Sequence, residues 1–501
     1  MVPRQRELVG AVQGRRRGVL RGEGPVSEIF GKALQRIETP IPGLVLFELP
    51  VHGDSRGWFK ENWQREKMVA LGLEDFGPVQ NNISFNDAVG TTRGIHAEPW
   101  DKWVSVATGR IFGAWVDLRE GPTFGAVFTT EIDPSRAIFV PRGVGNSYQT
   151  LEPDTAYAYL VNDHWSPDAE YAFLNLADET VAVEWPIPLS EVEISDKDRA
   201  HPRLADVTPI PPRKILVLGA AGQLGLALRK QLGEAPHIEY ATRADLDVTS
   251  PSLDEARRWR DYGLIINAAA FTAVDLAETP DGREAAWSAN ATAVAAISRI
   301  ADRYGVTLVH VSSDYVFDGT QDDAYSESAP LRPLGVYGQT KAAGDLAAST
   351  AARHYIVRTS WVIGDGSNFV RTMHSLARRG IDPRVVGDQV GRLTFTSDLA
   401  EAIVHLYRSK AAYGIYNVTG TGEPASWAQV AKDVFRLAGR EPERVAAVST
   451  EDYFSSAPGP VADRPRNSVL DLSKIVASGF TPRPFSESLA AYIDHLERNA
   501  E

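Results

Sequence analysis

Tyr337 and Lys341 stand four residues apart, in Tyr337-Gly338-Gln339-Thr340-Lys341, so a helix would set them on one face, one turn apart. A free phenol, with a pKa of about 10, exchanges protons poorly at neutral pH. A neighbouring ammonium favours the phenolate and is expected to bring Tyr337 toward working pH. Upstream, Ser312-Ser313-Asp314-Tyr315-Val316-Phe317 follows the apolar run Thr307-Leu308-Val309-His310-Val311, which predicts Ser313 at a strand end, where α/β sheets present site residues. A Tyr four before a Lys is by itself common on solvated helix surfaces. The glycine loop further upstream makes it informative. Lys214-Ile215-Leu216-Val217-Leu218 reads as a short strand, and Gly219-Ala220-Ala221-Gly222-Gln223-Leu224-Gly225 as the turn into a helix. Such a loop lets the backbone approach a pyrophosphate on the positive helix N-terminus. Strand, glycine turn, helix, Ser and Tyr/Lys in this order predict a reductase-type site using a dinucleotide.

A second set of reactive residues lies earlier: His96 in Thr92-Arg93-Gly94-Ile95-His96, then Lys102, Tyr159, and Asp198 in Ile194-Ser195-Asp196-Lys197-Asp198. Each has a plain structural alternative: a satisfied barrel histidine, an exposed lysine, a core tyrosine, a helix-capping aspartate.

The elements needed to hold these residues differ in the two parts of the chain. From Lys214 onward, apolar strands alternate with helical patterns, which predicts an α/β Rossmann-type, doubly wound parallel sheet with a small substrate lobe beyond about residue 380. Strands are predicted at 214–218, 237–241, 263–267, 307–311 and 355–358. A helix is predicted after Ser250-Pro251, and a long one within Asp275–Tyr304. Before residue 208 the texture is all-β: short aromatic and β-branched runs cut by turn residues, with one helix around Arg65–Leu71, as in a jelly roll. Seven of the 11 tryptophans lie in this part. Asp206-Val207-Thr208-Pro209-Ile210-Pro211-Pro212-Arg213 reads as a stiff connector. The expected organisation is a flexible basic tail over 1–30, a jelly-roll domain over 31–208, a linker over 209–212, and a dinucleotide-binding domain over 213–501.

Bulk properties narrow the function classes. The 501 residues are 43% hydrophobic and 23% charged, enough for two sizeable cores, and a net charge of −13 argues against nucleic acid as partner. Without cysteine there is no disulfide, thiolate metal site or cysteine nucleophile. No apolar run reaches the ~18 residues of a membrane span. Arg4–Arg21 is basic but lacks the apolar core and cleavage site of a signal peptide, so a cytoplasmic location is expected.

The Ser/Tyr/Lys set and glycine loop resemble the extended short-chain dehydrogenase/reductases. Asn267-Ala268-Ala269-Ala270-Phe271-Thr272-Ala273-Val274-Asp275, Arg358-Thr359-Ser360-Trp361-Val362, Gly387-Asp388-Gln389-Val390-Gly391 and Arg464-Pro465-Arg466-Asn467-Ser468 extend the resemblance to dTDP-4-dehydrorhamnose reductase over roughly 213–495. It implies that Tyr337 protonates the alkoxide formed at the sugar C4, that Ser313 hydrogen-bonds the same oxygen, and that Lys341 tunes Tyr337 and binds the cofactor ribose. Asp314 would lie beside them. Gly219, Gly222, Gln223, Leu224, Gly225, Asp247, Val248, Ala268, Ala269 and Ala270 would hold the cofactor. Thr272, Val274, Asp275, Trp361, Asp388 and Gln389 would line the substrate. Arg243 stands where a carboxylate would bind ribose hydroxyls, and its charge suits a 2′-phosphate, so NADPH is expected with NADH tolerated. Ser313 replaces a threonine common in the family and keeps the hydroxyl. Some relatives form dimers through magnesium held by glutamates; no glutamate of this sequence is matched to that site.

Asp54-Ser55-Arg56-Gly57-Trp58-Phe59-Lys60-Glu61, Val79-Gln80-Asn81-Asn82, Arg93-Gly94-Ile95-His96, Pro122-Thr123-Phe124-Gly125 and Ser195-Asp196-Lys197-Asp198 resemble dTDP-4-dehydrorhamnose 3,5-epimerase over about 36–205. Hydrogens at C3 and C5 flank a C4 ketone, so removing either gives an enolate. The resemblance implies His96 as base supported by Asp198, Lys102 at the enolate oxygen, and Tyr159 returning a proton on the opposite face. Arg56 and Arg93 would hold the diphosphate. Glu61, Gln80, Asn82, Asn146 and Trp165 would contact the nucleotide sugar. Asn146 replaces a site histidine of the family, Gly113 the aspartate that partners it, and Ala97 the aromatic after the base. His96 and His52 lack partners at ligand spacing, and the His-x-His/Glu/His set of metal-binding cupins is absent, so no metal is expected. Relatives with such β domains commonly dimerise, which suggests a homodimer.

The expected function is a bifunctional enzyme that epimerises dTDP-4-keto-6-deoxyglucose and reduces its C4 ketone. In a second reading only the reductase is catalytic and the β domain binds, dimerises or inverts one carbon. A third, a dinucleotide sensor without activity, conflicts with the complete Ser, Tyr and Lys positions.

Overall fold

The computed structural model describes residues 29–165, 171–455 and 459–498, so the basic N-terminal stretch lies outside the described residues. The chain divides into two compact units, 1–211 and 212–501.

The first unit is rich in antiparallel sheet. Its strands are β1 (Gln35–Glu38), β2 (Val45–Glu48), β3 (Val51–Asp54), β4 (Gly57–Lys60), β5 (Gln80–Asn86), β6 (Thr92–Ala97), β7 (Lys102–Thr108), β8 (Ile111–Asp117), β9 (Val127–Ile132), β10 (Arg136–Val140), β11 (Val144–Thr150), β12 (Thr155–Val161) and β13 (Ala172–Phe173). One sheet has the order β1-β2-β10-β7-β12-β5 and the other β13-β6-β11-β8-β9, while β3 and β4 form a separate hairpin. Alternating side chains give each strand an inner and an outer face. Inner residues of both sheets, among them Leu46, Val104, Ile111, Trp115, Ile138, Tyr148 and Tyr157, form one apolar core. Helix α1 (Arg65–Ala70) covers a second cluster with Phe47, Met68 and Trp103. Ile210, in the proline-rich connector, exchanges backbone hydrogen bonds with Leu118 and Glu120 and so extends this unit.

In the second unit, β14 (Lys214–Leu218), β15 (Ile238–Ala241), β16 (Tyr262–Asn267), β17 (Thr307–Ser313), β18 (His354–Thr359) and the last strand, Gly414–Asn417, form a parallel sheet in the order β15-β14-β16-β17-β18-last. Leu216, Leu218, Ile265, Leu308 and Ile356 pack on one face with Ile297 and Ile300. Val217, Leu264, Ile266, Val309 and Val357 pack on the other with Leu228, Leu399 and Ile403. Burial on both faces is why these strands read as continuous apolar runs. A further core of Val370, Val385, Val434, Phe435, Leu489 and others holds the C-terminal part together.

The helix expected after Ser250-Pro251 is not there. The segment makes only two 3-10 turns, Leu253–Glu255 and Trp259–Asp261, because Leu253 and Trp259 are both drawn into the core and β16 begins at Tyr262. The long helix within 275–304 is present but composite: Pro280–Trp287, a π segment Ser288–Thr292, and Ala293–Arg303.

Candidate active sites

In the first unit the reactive residues gather between the two sheets. β6 carries Arg93 and His96, and Asn146 on β11 is the register partner of His96. His96 Nε2 stands 2.9 Å from Asp198 Oδ1, while Asp198 Oδ2 accepts the Gly94 N–H at 3.3 Å. Asp198 sits on the single helical turn Asp196–Arg199, where Ser195 does the capping and leaves the Asp198 carboxylate buried and facing His96. Burial raises the Asp198 carboxyl, but the hydrogen bond and charge of His96, with the Gly94 N–H, outweigh it and hold the group below the usual carboxylate range.

Lys102 opens β7, is buried, and pairs with Glu98. Its ammonium lies 5.3 Å from the centre of the Tyr159 ring. Burial, with Glu98 second, pushes the Tyr159 phenol up, so it is protonated at neutral pH. The half-buried face of β5 presents Gln80, Asn82 and Ser84, with Asn82 the register partner of Tyr159. Arg93 Nε donates to Asn86 Oδ1 at 3.3 Å.

The two departures at 113 and 146 are one construction, joined by Trp115. A Cβ on Gly113 would fall 2.1 Å from the Trp115 ring, so the indole occupies the space that a side chain at 113 would fill. Trp115 Nε1 donates to Asn146 Oδ1 at 2.9 Å, and Asn146 Nδ2 donates to the Tyr157 hydroxyl at 3.0 Å.

Arg56 and Glu61 are not brought to this group. Arg56 stands on the exposed β3–β4 hairpin bonded to Asp54, and Glu61 pairs with Lys67. Trp165 is exposed. The sequence spacing offered His96 no ligand partners, but the fold supplies two: Asp198 and His201 place ligand atoms within 4.8 Å of each other and of His96.

In the second unit a helix, Val336–Ala348, carries Tyr337 and Lys341, and its first N–H is held by the Glu278 carboxylate at 2.8 Å. Tyr337 hydrogen-bonds Ser313 at the end of β17. Ser313 Oγ donates to Asp314 Oδ1 at 2.9 Å, and burial pushes the Asp314 carboxyl up to about 6. Lys341 Nζ donates to the Val311 carbonyl at 2.6 Å. One turn on, Asp345 accepts Arg358 Nε at 2.9 Å, both side chains being 2% exposed.

Lys341 does not depress Tyr337 here as expected. Burial, with Asp314 next, pushes the phenol up to about 12. Lys341 is itself brought down to about 8 by burial, against the pull of Asp345, and its ammonium is turned to a carbonyl.

Beside this group a cavity of about 390 Å³ is lined by Gly219, Gly222, Arg243, Asp247, Val248 and Ala268–Ala270 among others. A Cβ on Gly219 would lie 2.7 Å from Ala269 N, and one on Gly225 would lie 2.4 Å from the Gly219 carbonyl oxygen, so only glycine allows this turn. Gln223 opens the following helix, Gln223–Leu232, while Leu224 packs into the core. The Arg243 side chain is 84% exposed at the rim, 3.3 Å from Asp247.

A second cavity, of about 260 Å³, is lined by Gln389, Met373, Trp427, Tyr453, Phe454 and Arg464 among others. Arg464 binds Asp275 at 2.7 Å, Gln389 donates to Thr450 at 3.0 Å, and Asp388 accepts the Thr450 N–H at 3.0 Å. Trp361 adopts a positive φ of 48° and stacks on Trp427 at 3.7 Å. Thr272 is exposed and Val274 half-buried on the loop after β16.

Two families match the chain: dTDP-4-dehydrorhamnose 3,5-epimerase over residues 38–206, and the RmlD substrate binding domain over 213–498. Over 182 residues, 35% of the chain, it is 52% identical to the protein RmlC homolog of Streptococcus pyogenes serotype M6, spanning 91% of that protein. The chain belongs to both families, one in each unit.

A dTDP-4-dehydrorhamnose reductase from Clostridium acetobutylicum superposes on 57% of the chain and 99% of its own length, with 35% identity and a TM-score of 0.52. The reductase from Bacillus anthracis, solved with NADP, covers 56% of the chain and 98% of its own length at 33% identity and a TM-score of 0.51.

Several residues of the epimerase and reductase domains escaped sequence reading. Glu98, four before Lys102, carried a spacing signal that strand context obscured. Trp115, Tyr157 and His201 carried no local signal that set them apart. Glu278 and Asp345 became visible only once the helix carrying Tyr337 was in place.

Proposed function

We propose that the two domains act in sequence on one nucleotide sugar, epimerising dTDP-4-keto-6-deoxyglucose at C3 and C5 and then reducing its C4 ketone. The observation carrying this reading is that a His–Asp base pair with a buried Lys and a half-buried Tyr, and a Ser–Tyr–Lys set beside a glycine turn, are each assembled in one chain.

His96 takes the proton from the carbon beside the ketone. With the Nε2 proton directed at Asp198, the free lone pair is on Nδ1, and the ionised Asp198 stabilises the imidazolium that forms. Lys102, fixed by Glu98, faces the enolate oxygen, and Tyr159, kept protonated, returns a proton to the other face. Arg93, Gln80, Asn82 and Asn146 border the sugar nucleotide. In the reductase domain Tyr337, held as the neutral phenol, donates to the oxygen at C4 while Ser313 and Asp314 fix its orientation. The glycine turn and the cavity beside it fit a dinucleotide, with Gly219, Gly222, Gly225, Gln223, Ala268–Ala270 and Val248 as its cradle and Arg243 at the 2′-phosphate. When bound, the reduced nicotinamide supplies the hydride. NADPH is the cofactor of this reading, with NADH tolerated. Asp275, Asp388, Gln389, Trp361, Thr272 and Val274 border the substrate.

The two antiparallel sheets are read as a jelly roll, with the join at 209–212 and the protein in the cytoplasm. Ile83 and Phe85, 66% and 60% exposed on the outer face of edge strand β5, support a homodimer through this domain, which would also give Arg56 and Glu61 a second copy to meet. Magnesium at such an interface gains no support from the relatives above. A second reading, with the reductase alone catalytic, rests on Asn146 being tied to Trp115 and Tyr157.

The deciding experiment incubates the protein with dTDP-4-keto-6-deoxyglucose and NADPH in D2O and reads the product by NMR. Deuterium at C3 and C5 of a 6-deoxyhexose establishes both steps. Label at one carbon makes the first domain a mono-epimerase. No label, with reduction restored by a separate epimerase, leaves the reductase alone.

A further inference from the structure

The proposed chemistry uses His96 and Asp198 and leaves a third group at the same point without a task. His201 follows Asp198 by three residues, is 8% exposed, stacks on Phe173 with ring centres 4.8 Å apart, and meets the His96 ring edge-on at 5.3 Å. Neither of its ring nitrogens hydrogen-bonds another side chain, and the Leu174 carbonyl is its backbone neighbour. Its Nε2 is 3.7 Å from the same Asp198 oxygen that bonds His96 at 2.9 Å. Two imidazoles and a carboxylate are a donor set for Zn²⁺, whose ligands at about 2.0–2.2 Å stand about 3.3 Å apart in a tetrahedron. The two distances to Asp198 bracket that spacing, and all three ligand atoms lie within 4.8 Å of one another, so side-chain rotation closing the His96–His201 edge by up to about 1.5 Å brings the set around an ion. A half-exposed His96 leaves a way in and an open position for water.

We propose that His96, Asp198 and His201 form a three-ligand site for a divalent transition ion such as Zn²⁺, which silences His96 as a base when it binds. The silencing follows from proton placement and rests on His96 being the base; the binding itself does not. A neutral imidazole has one N–H. In the free domain that proton is on Nε2, shared with Asp198, and Nδ1 is open. An ion on Nε2 moves the proton to Nδ1, so the ring keeps its proton count and loses the lone pair that abstraction needs. The reductase domain, whose Tyr337 and Ser313 offer no such donors, is untouched.

The test uses the full chain with ZnCl₂, and with CoCl₂ as a spectroscopic substitute. One ion per chain after dialysis, visible Co²⁺ bands of low coordination number, and a Zn²⁺-dependent rise in melting temperature are expected. Deuterium entry at C3 and C5 of the ketosugar is lost at one equivalent and restored by a chelator, while reduction of pre-epimerised ketosugar is unchanged. Two variants, His201→Phe, which keeps the ring on Phe173, and His201→Gln, are each compared with and without ion. Both should lose the Co²⁺ bands and need more than about 100-fold more Zn²⁺ for the same fractional inhibition. Should either folded variant hold the ion as tightly as the parent, the site is wrong. An ion bound through His201 with exchange undiminished overturns the silencing. If the metal-free parent shows no exchange at all, the epimerase reading fails, and the Co²⁺ bands and melting shift still decide the site.

Discussion

The candidate sites of the epimerase and reductase domains, both proposed to move protons beside a carbonyl, treat their carboxylates in opposite ways. Asp198 is held below the usual range because His96 and the Gly94 N–H outweigh burial. Asp314 and Asp345 are raised because burial outweighs Ser313, Ser468 and Arg358. The difference follows the chemistry. A base that pulls a proton from carbon must become an imidazolium, and a nearby ionised carboxylate stabilises it. A donor that protonates an alkoxide must arrive protonated, and a dry pocket keeps the Tyr337 phenol so. The contrast extends to construction. The epimerase set is gathered from β6, β7, β12 and a distant helical turn, while Tyr337, Lys341 and Asp345 descend one helix face.

Reciprocal variants break this comparison most sharply. Tyr337→Phe should lower the rate of ketone reduction by about 10²–10⁴ and leave deuterium entry at C3 and C5 intact, while His96→Ala should do the reverse on pre-epimerised and unepimerised ketosugar. NMR of the sugar and NADPH absorbance read the two steps separately. If either variant slows both steps equally, the sites are not the independent devices described here.

Trp115→Phe asks a subtler question of the epimerase side alone. It removes both the outer edge of the indole, which fills the space at Gly113, and the N–H, so Asn146 Oδ1, in a buried residue, is left with the Tyr157 hydroxyl at 3.3 Å. Losing one of two hydrogen bonds to a buried acceptor costs about 0.5–1.5 kcal/mol. Hydrogen exchange by mass spectrometry should show that loss of protection in β8 and β11, with the parallel sheet of the reductase domain unaffected. Unchanged protection would mean that the Trp115–Asn146 bond contributes nothing to the stability of these two strands.

Sequence patterning located the reductase domain better than the epimerase domain, and the reason is range. In a doubly wound sheet, strand, glycine turn and helix lie next to each other in the chain, so Lys214–Leu218, Gly219–Gly225 and Tyr337/Lys341 announce their places locally. Ser250-Pro251 shows the limit: a sound helix start signal was overruled by Leu253 and Trp259 reaching for the core. In the antiparallel unit, partners are set by strand register across long separations. Nothing near His96 in the chain hints at Asp198 or His201, and nothing near Gly113 shows that Trp115 fills its space and holds Asn146. Motif resemblance supplied Asp198, whereas only the fold supplied Trp115 and His201. The electrostatic balance was hidden for another reason: spacing suggested that Lys341 would dominate Tyr337, and burial reversed the sign.

Lys341 offers the finest discrimination, because its effects on activity and stability run in opposite directions. Burial brings its pKa to about 8 in the fold, below the ordinary 10.5. Between those two values the unfolded chain binds a proton that the folded chain does not, so the Lys341 contribution makes the protein more stable as pH rises through this window. Below pH 8 the ammonium is charged in both states and that contribution is absent. Activity follows the ammonium itself, which is expected to position the cofactor ribose and the Tyr337 ring. Reduction should therefore decline above about pH 8, while deuterium exchange at C3 and C5 shows no limb belonging to this lysine. Denaturant unfolding of the reductase sheet from pH 7 to 10, followed by hydrogen exchange, should show stability rising over the range where reduction falls, and Lys341→Met should flatten that slope. General alkaline unfolding would lower both together, so falling stability in step with falling reduction would remove Lys341 as the cause.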